Sequence, residues 1–263
     1  MWWPSPLFGG ASAAPITQGA RDLPGWYYVG LVLSVGGCWL AAYLLAIREG
    51  RLTGRVGIPA VAVALNIGWE FDDALIVNHA SWQRPFNLAW FLLDLIIARQ
   101  VLRYGPRDYP DLPAAAFRRY FCALAVFGAV FIAAVEIEIN DFYGAYTGLG
   151  LNAWMSLAFV VMLRRRRSTA GQSMYIAVGK GAGSLLGVVM SVSLYPHSVV
   201  IPVLGATVIA LDACYTVALY RQYGREGAAP WRPRRRAGGG RGRRARQRVL
   251  SSVPASKETA SGM

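Results

Sequence analysis

Seven apolar stretches separated by short polar turns run from about Trp26 to Ile47, Gly57 to His79, Phe86 to Arg103, Phe117 to Ile139, Tyr143 to Leu163, Ser173 to Tyr195 and Ser198 to Tyr220. At 1.5 Å per residue each is long enough for a helix to cross ~30 Å of hydrocarbon. The pattern predicts an all-α polytopic membrane protein, a seven-helix transmembrane bundle over residues 26–220 whose short turns make successive helices antiparallel neighbours. Residues 1–25 read as a flexible segment rich in Gly, Ala, Ser and Pro, without the basic start and apolar run of a signal peptide. Trp2, Trp3, Trp26, Tyr27 and Tyr28 suit the membrane interface. Gly179, Gly181, Gly183 and Gly187 in the sixth stretch predict close helix contact.

Polar positions inside these stretches carry the candidate chemistry. The segment Asn66-Ile67-Gly68-Trp69-Glu70-Phe71-Asp72-Asp73 sets three acids in the middle of the second stretch. At the centre of a spanning helix an acid costs about 2.5–3.5 kcal/mol on insertion scales, so it is expected to face other helices and to be functional. Asn66, Glu70 and Asp73 share one helical face, whereas Asp72 lies about 200° from Glu70. By the helix rise, Glu70, Asp94 and Asn152 share one level, ~12–13 Å from the outer face. Lys180 and Asp212 lie lower, both roughly 10–12 Å from the opposite face. Glu136 and Glu138, near the outer end of the fourth stretch, are expected to reach the wet interface.

Trp39, Trp69, Trp82, Trp90, Trp154, Phe71, Phe86 and Phe91 are available near the polar level. Electron-rich ring faces stabilise a cation by ~2 kcal/mol or more each when desolvated, although aromatics are also ordinary filler and belt residues. Acid and aromatic walls together describe a site able to protonate an apolar substrate and shield the resulting carbocation.

Composition agrees with a membrane protein: 55% hydrophobic residues, 16% charged and a mean hydropathy of +0.35. The formal charge of +13 looks at first like a nucleic-acid signature. It is concentrated in residues 221–263, where eleven Arg and one Lys face Glu226 and Glu258. That tail, with Gly238-Gly239-Gly240, cannot build a core and is expected to be disordered and cytoplasmic. It suits anionic lipid, at about 1 kcal/mol per basic residue near the surface. Nucleic acid is not expected as a partner, since stacking aromatics are missing apart from Trp231. Cys38, Cys122 and Cys214 fall inside apolar stretches and read as small core residues, with no support for a disulfide framework or a metal cluster.

Basic residues also set the orientation. Arg48, Arg51 and Arg55, then Arg99, Arg103, Arg107, Arg118 and Arg119, then Arg164 to Arg167, and finally the tail account for 24 of the 27. Only Arg21 and Arg84 lie on the other side, with Lys180 inside the sixth stretch. The positive-inside rule then gives seven spans in the cell membrane, N-terminus outside and C-terminus in the cytoplasm.

Trp69-Glu70 in the second of seven short-looped helices, Trp90-Phe91-Leu92-Leu93-Asp94 in the third and Leu211-Asp212-Ala213-Cys214-Tyr215 in the seventh resemble the small integral-membrane terpene cyclases. These act in fungal meroterpenoid and indole-diterpene pathways, with bacterial relatives that cyclise indole sesquiterpenoids of the drimentine type. The resemblance covers Trp26 to Tyr220. It implies class II cyclisation of a prenylated, farnesylated indole-type substrate, in which a terminal alkene or epoxide is protonated without a metal or other cofactor. The family's two essential acids would fall on Glu70 and Asp212. Asn66 and Asp73 are then expected to tune Glu70, with Asn66 as a hydrogen-bond donor to it; Asp94, Trp69, Trp90, Asn152, Tyr215 and Lys180 are expected to support the site or bind substrate. Should Lys180 pair with Asp212, the latter would be ionised and unable to deliver the first proton, which makes Glu70 the expected initiating acid.

Two other classes fit parts of the pattern. A retinal protein needs a Schiff-base lysine in the last helix, and the seventh stretch has none. A proton-coupled small-solute transporter would use buried acids, but no doubled set of three helices with matching motifs is visible. A seven-helix lipid-binding protein without catalysis shares the same hydrophobic pattern.

Overall fold

The computed structural model describes residues 23–77, 84–141 and 143–234. Among these residues lie seven helices and no strand: α1 (Gly25–Thr53), α2 (Ala60–Phe71), α3 (Arg84–Tyr104), α4 (Ala114–Ile139), α5 (Ala145–Arg166), α6 (Met174–Leu194) and α7 (Val200–Arg225). Each apolar stretch is thus a helix. Six are long and apolar enough to cross a membrane. The exception is α2, with 12 residues of α-helix followed by a π-helical turn, Asp72–Ile76. The last helix continues past Tyr220 to Arg225. Trp2, Trp3, Trp82 and the tail beyond Arg234 lie outside the described residues.

Local sequence sets the helix boundaries. Pro24, Pro59 and Pro113 stand directly before α1, α2 and α4, where a fixed φ favours the first turn and a missing N–H leaves no helical bond unmade. Ser173 caps α6 by accepting the N–H of Ile176. The first turn of α5 is held by Asp141, whose carboxylate accepts the N–H groups of Ala145, Tyr146 and Thr147 at 2.9–3.0 Å.

α1 packs against α6 and α3, α2 against α3, α4 and α5, and α7 against α5 and α6. Small residues permit the closest approaches. A Cβ on Gly68 of α2 would stand 2.5 Å from the backbone nitrogen of Ala129 on α4, and one on Gly183 of α6 would stand 2.9 Å from the Trp39 ring of α1. The polar stripe of α2 is covered on three sides, and Asn66, Glu70, Asp72 and Asp73 are all buried.

The outer faces are apolar, with Leu33, Leu40, Leu44, Phe127, Val130 and Phe131 exposed, as lipid-facing helices require. Cys122 and Cys214 are exposed and Cys38 is half-buried. They are not the core residues expected, because α4 and α7 turn those faces outward.

At the basic end Asp108 ties three connections together. It accepts Arg55 at 2.6 Å and the fork of Arg166 at 3.1 and 2.5 Å, while Arg166 also donates to the carbonyl of Val56 at 2.7 Å. Such bidentate pairing is the strong form of the ion pair. Asp108→Ala leaves two arginines without their carboxylate and is expected to destabilise the fold by roughly 3 kcal/mol, read as a lower thermal midpoint of the purified protein in detergent.

Candidate active site

Five helices, α1, α2, α3, α5 and α6, enclose a cavity of about 190 Å³, and no residue of α4 or α7 lines it. Tyr28, Val32, Val35 and Trp39 form one wall, Trp69 a second, Phe86 and Trp90 a third, Leu149 and Met155 a fourth. Along α6 the lining residues Gly183, Ser184 and Gly187 are small, and a Cβ on Gly187 would meet nothing within 4 Å. The glycines of this helix therefore serve both close contact and open space.

Of the aromatics expected near the polar level, Trp39, Trp69, Trp90 and Phe86 line the cavity. Phe71 and Phe91 pack on each other instead, with ring centroids 5.8 Å apart. Trp154 is 64% exposed on the outer face of α5.

Glu70 also lines the cavity, and its Oε2 is buried without a hydrogen-bond partner. The expected support from Asn66 is absent. One turn before Glu70, the Asn66 amide donates to the Tyr43 hydroxyl and to Asp94 Oδ2, both at 2.7 Å, so its two hydrogens are committed elsewhere. Asp94 lies behind this amide rather than on the cavity wall.

Asp73 is fully buried and accepts from Asn87 at 3.4 Å, Asn87 itself lining the cavity. The chain passes close by at Gly144, where φ is +61° and a Cβ would lie 3.0 Å from the Trp69 ring and 3.4 Å from Asp73 Oδ2. A side chain there would meet both the left-handed backbone and the site.

Beside the cavity, Thr147 Oγ1 accepts the indole N–H of Trp69 at 3.1 Å and lies 2.7 Å from Glu136 Oε1 and 3.0 Å from Asp141 Oδ2. Its single hydroxyl proton can serve one of these carboxyls at a time. Glu136 is therefore buried, contrary to expectation, because the first turn of α5 closes over it. Glu138 is exposed. Asp141 lies in the α4–α5 connection, and burial pushes its carboxyl above the usual range against the pull of its hydrogen bonds to Thr147, Ala145 and Tyr146.

Deeper in the bundle, Lys180 Nζ donates to Asp212 Oδ1 at 2.5 Å, Ser156 Oγ at 2.7 Å and Asn152 Oδ1 at 3.0 Å. Asn152 in turn donates to Ser184 Oγ at 3.0 Å, and both line the cavity. The Lys180–Asp212 pairing is thus present, and Asn152 links it to the cavity wall. Asp212 itself does not line the cavity. Tyr215 lies away from it, its hydroxyl 3.0 Å from Gln172 Oε1 and its ring 4.9 Å from that of Phe159. Sequence reasoning missed Tyr43, Asn87, Thr147 and Ser184, whose signal was only a lone polar group inside an apolar stretch.

A bundle of apolar helices around an aromatic cavity with a buried acid on its wall describes a multi-pass membrane protein with an internal cavity. Residues 24–223 match the family of Pyr4-like transmembrane terpene cyclases, and the chain belongs to that family. It is similar to the Pyr4-family terpene cyclase mfmH of Annulohypoxylon moriforme, 27% identical over 62% of this chain and 70% of the relative. A shorter likeness, 32% identical over 30% of this chain and 29% of the relative, links it to terpene cyclase ascF of Acremonium egyptiacum. Terpene cyclase andB of Emericella variicolor is 21% identical over 57% of this chain and 65% of the relative. No solved structure matches the chain.

The buried pair gives a test of structural against chemical roles. Lys180→Met leaves Asp212 unpaired and is expected to lose about 3–5 kcal/mol of stability, whereas Lys180→Met/Asp212→Leu recovers most of it. Thermal unfolding of the three proteins in detergent measures both effects.

Proposed function

We propose that the protein is a class II terpene cyclase whose initiating acid is Glu70. The observation that carries this reading is the Glu70 carboxyl, with a buried, unpartnered Oε2 on the wall of an aromatic cavity. In the proposed reaction the Glu70 carboxyl gives its proton to the CH carbon of the terminal double bond of a prenyl chain, and the broken π bond leaves a tertiary cation on the dimethyl-substituted carbon. Successive ring closures move the positive charge along the chain, and loss of a proton from the last cation restores the proton count. An alkene substrate therefore gives an isomer of unchanged mass.

The walls suit each step. Trp39, Trp69, Trp90 and Phe86 offer ring faces to the travelling charge. The lining residues of α1 run from Tyr28 to Tyr43, ~22 Å along the helix at 1.5 Å per residue, which favours an elongated chain. Apolar surroundings keep water from capturing the cation early. A farnesylated indole is the substrate class favoured by the resemblance noted in the sequence.

Asp212 and Lys180 then act from behind the wall. Held as an ion pair, Asp212 orients Asn152 through Lys180 and stabilises charge rather than delivering the first proton. The proposal places seven spans in the cell membrane, N-terminus outside, with the basic tail on the anionic cytoplasmic leaflet.

Membranes carrying the protein, supplied with a farnesylated indole, are expected to yield the cyclised isomer by mass spectrometry. Glu70→Gln abolishes it, because an amide has no acidic proton; Asp212→Asn retains a trace or releases partly cyclised products. Near wild-type turnover by Glu70→Gln beside an inert Asp212→Asn would exchange the two roles. Reporter fusions after Gly105 and Arg167 are expected to read cytoplasmic and one after Asn140 outside; a cytoplasmic signal at Asn140 would break the seven-span arrangement.

A further inference from the structure

At the basic end a second cavity, of about 650 Å³, lies between the start of α2, one face of α5 and the connection from α3 to α4. Its α5 wall includes Trp154, Leu157, Ala158, Val161, Met162 and Arg165, spaced i, i+3, i+4, i+7, i+8 and i+11 along one helical face. From Trp154 to Arg165 the wall extends ~16 Å, about the depth of one leaflet of a ~30 Å hydrocarbon core. Trp154, Leu157, Val161 and, across the groove, Val61 are exposed. In a multi-pass protein that exposure faces acyl chains.

The mouth of the groove is cationic. Arg55, Arg107, Arg165 and Arg166 line it against Asp108 and Asp111. Asp108 is already engaged by Arg55 and Arg166. Arg107 donates to the carbonyl of Gly54 at 2.8 Å and has no carboxylate partner among the described residues. Arg165 lies over the Tyr109 ring, 4.7 Å from its centre, and makes no hydrogen bond or ion pair among the described residues. Two guanidinium forks are thus held by a carbonyl and a ring, with donors left over for an oxyanion.

We propose that this groove binds one anionic phospholipid, its phosphodiester at Arg107 and Arg165 and one acyl chain along the α5 face down to Trp154. The excess of arginine over carboxylate at the mouth favours a headgroup with net negative charge over a zwitterionic one. The basic tail of this same chain is repelled by that mouth and is not the occupant. A free phosphate shares the headgroup chemistry but makes no use of the apolar channel below it.

The test uses the full chain in mild detergent, given equal amounts of phosphatidylglycerol and phosphatidylcholine with identical acyl chains and followed by native mass spectrometry. Preferential retention of phosphatidylglycerol is expected. Arg107→Ala/Arg165→Ala weakens that binding by about thirtyfold, at the weight of a basic residue near a membrane surface. Val161→Trp, which keeps every charge but fills the channel, weakens it as well. The tail is present in all three proteins and cannot account for a difference among them. Equal retention of the two lipids, or unchanged phosphatidylglycerol binding by the double variant, would overturn the proposal. So would stabilisation by inorganic phosphate equal to that by phosphatidylglycerol with Val161→Trp neutral, an outcome that assigns a free-anion site.

Discussion

Charge buried away from water persists only when it is paired, hydrogen-bonded or neutralised by a proton. The bundle is arranged around this constraint. Lys180, almost completely buried, is committed to Asp212 and braced by Ser156 and Asn152. Asp94 and Glu136 meet the neutral donors Asn66 and Thr147. Glu70 has one buried oxygen unpartnered. An acid kept apart from cations keeps a proton to give, and the same residue paired with Lys180 would not.

Much of the fold was legible in the sequence, because lipid forces a simple code: apolar runs of spanning length, short turns and basic residues collected at alternate connections. The shortness of α2 was not legible. Its apolar run continues beyond Phe71, but the backbone there opens into a π-helical turn, and a hydrophobic pattern does not distinguish the two kinds of turn. Helical periodicity set Asn66, Glu70 and Asp73 on one face; Asn66 and Glu70 line the cavity, while Asp73 lies in the π-helical turn and does not. It gave no sign that the amide of Asn66 would turn to Tyr43 and Asp94, because those partners come from other helices. Glu136 was misjudged for a related reason: its depth in α4 was readable, whereas the fold of α5 over it depends on Asp141 and Thr147.

Helix packing also explains why the aromatic residues divide as they do. Trp39, Trp69, Phe86 and Trp90 lie on the faces of α1, α2 and α3 that form the cavity wall, Phe71 and Phe91 pack on each other away from it, and Trp154 occupies the opposite face of a helix that lines the cavity elsewhere. Composition alone treats these rings as equivalent. Helix packing separates those able to meet a substrate from those that meet lipid.

The enclosure of α2 by α3, α4 and α5 bears on how the protein is made. A segment carrying Glu70, Asp72 and Asp73 would partition poorly into lipid on its own, at about 2.5–3.5 kcal/mol for each acid near the bilayer centre. The close approach of Gly68 to the backbone of Ala129 is made with a helix synthesised two segments later. During translation α2 is therefore sheltered until α4 has emerged, so that the central helix of the site settles only after two further helices have followed it from the ribosome.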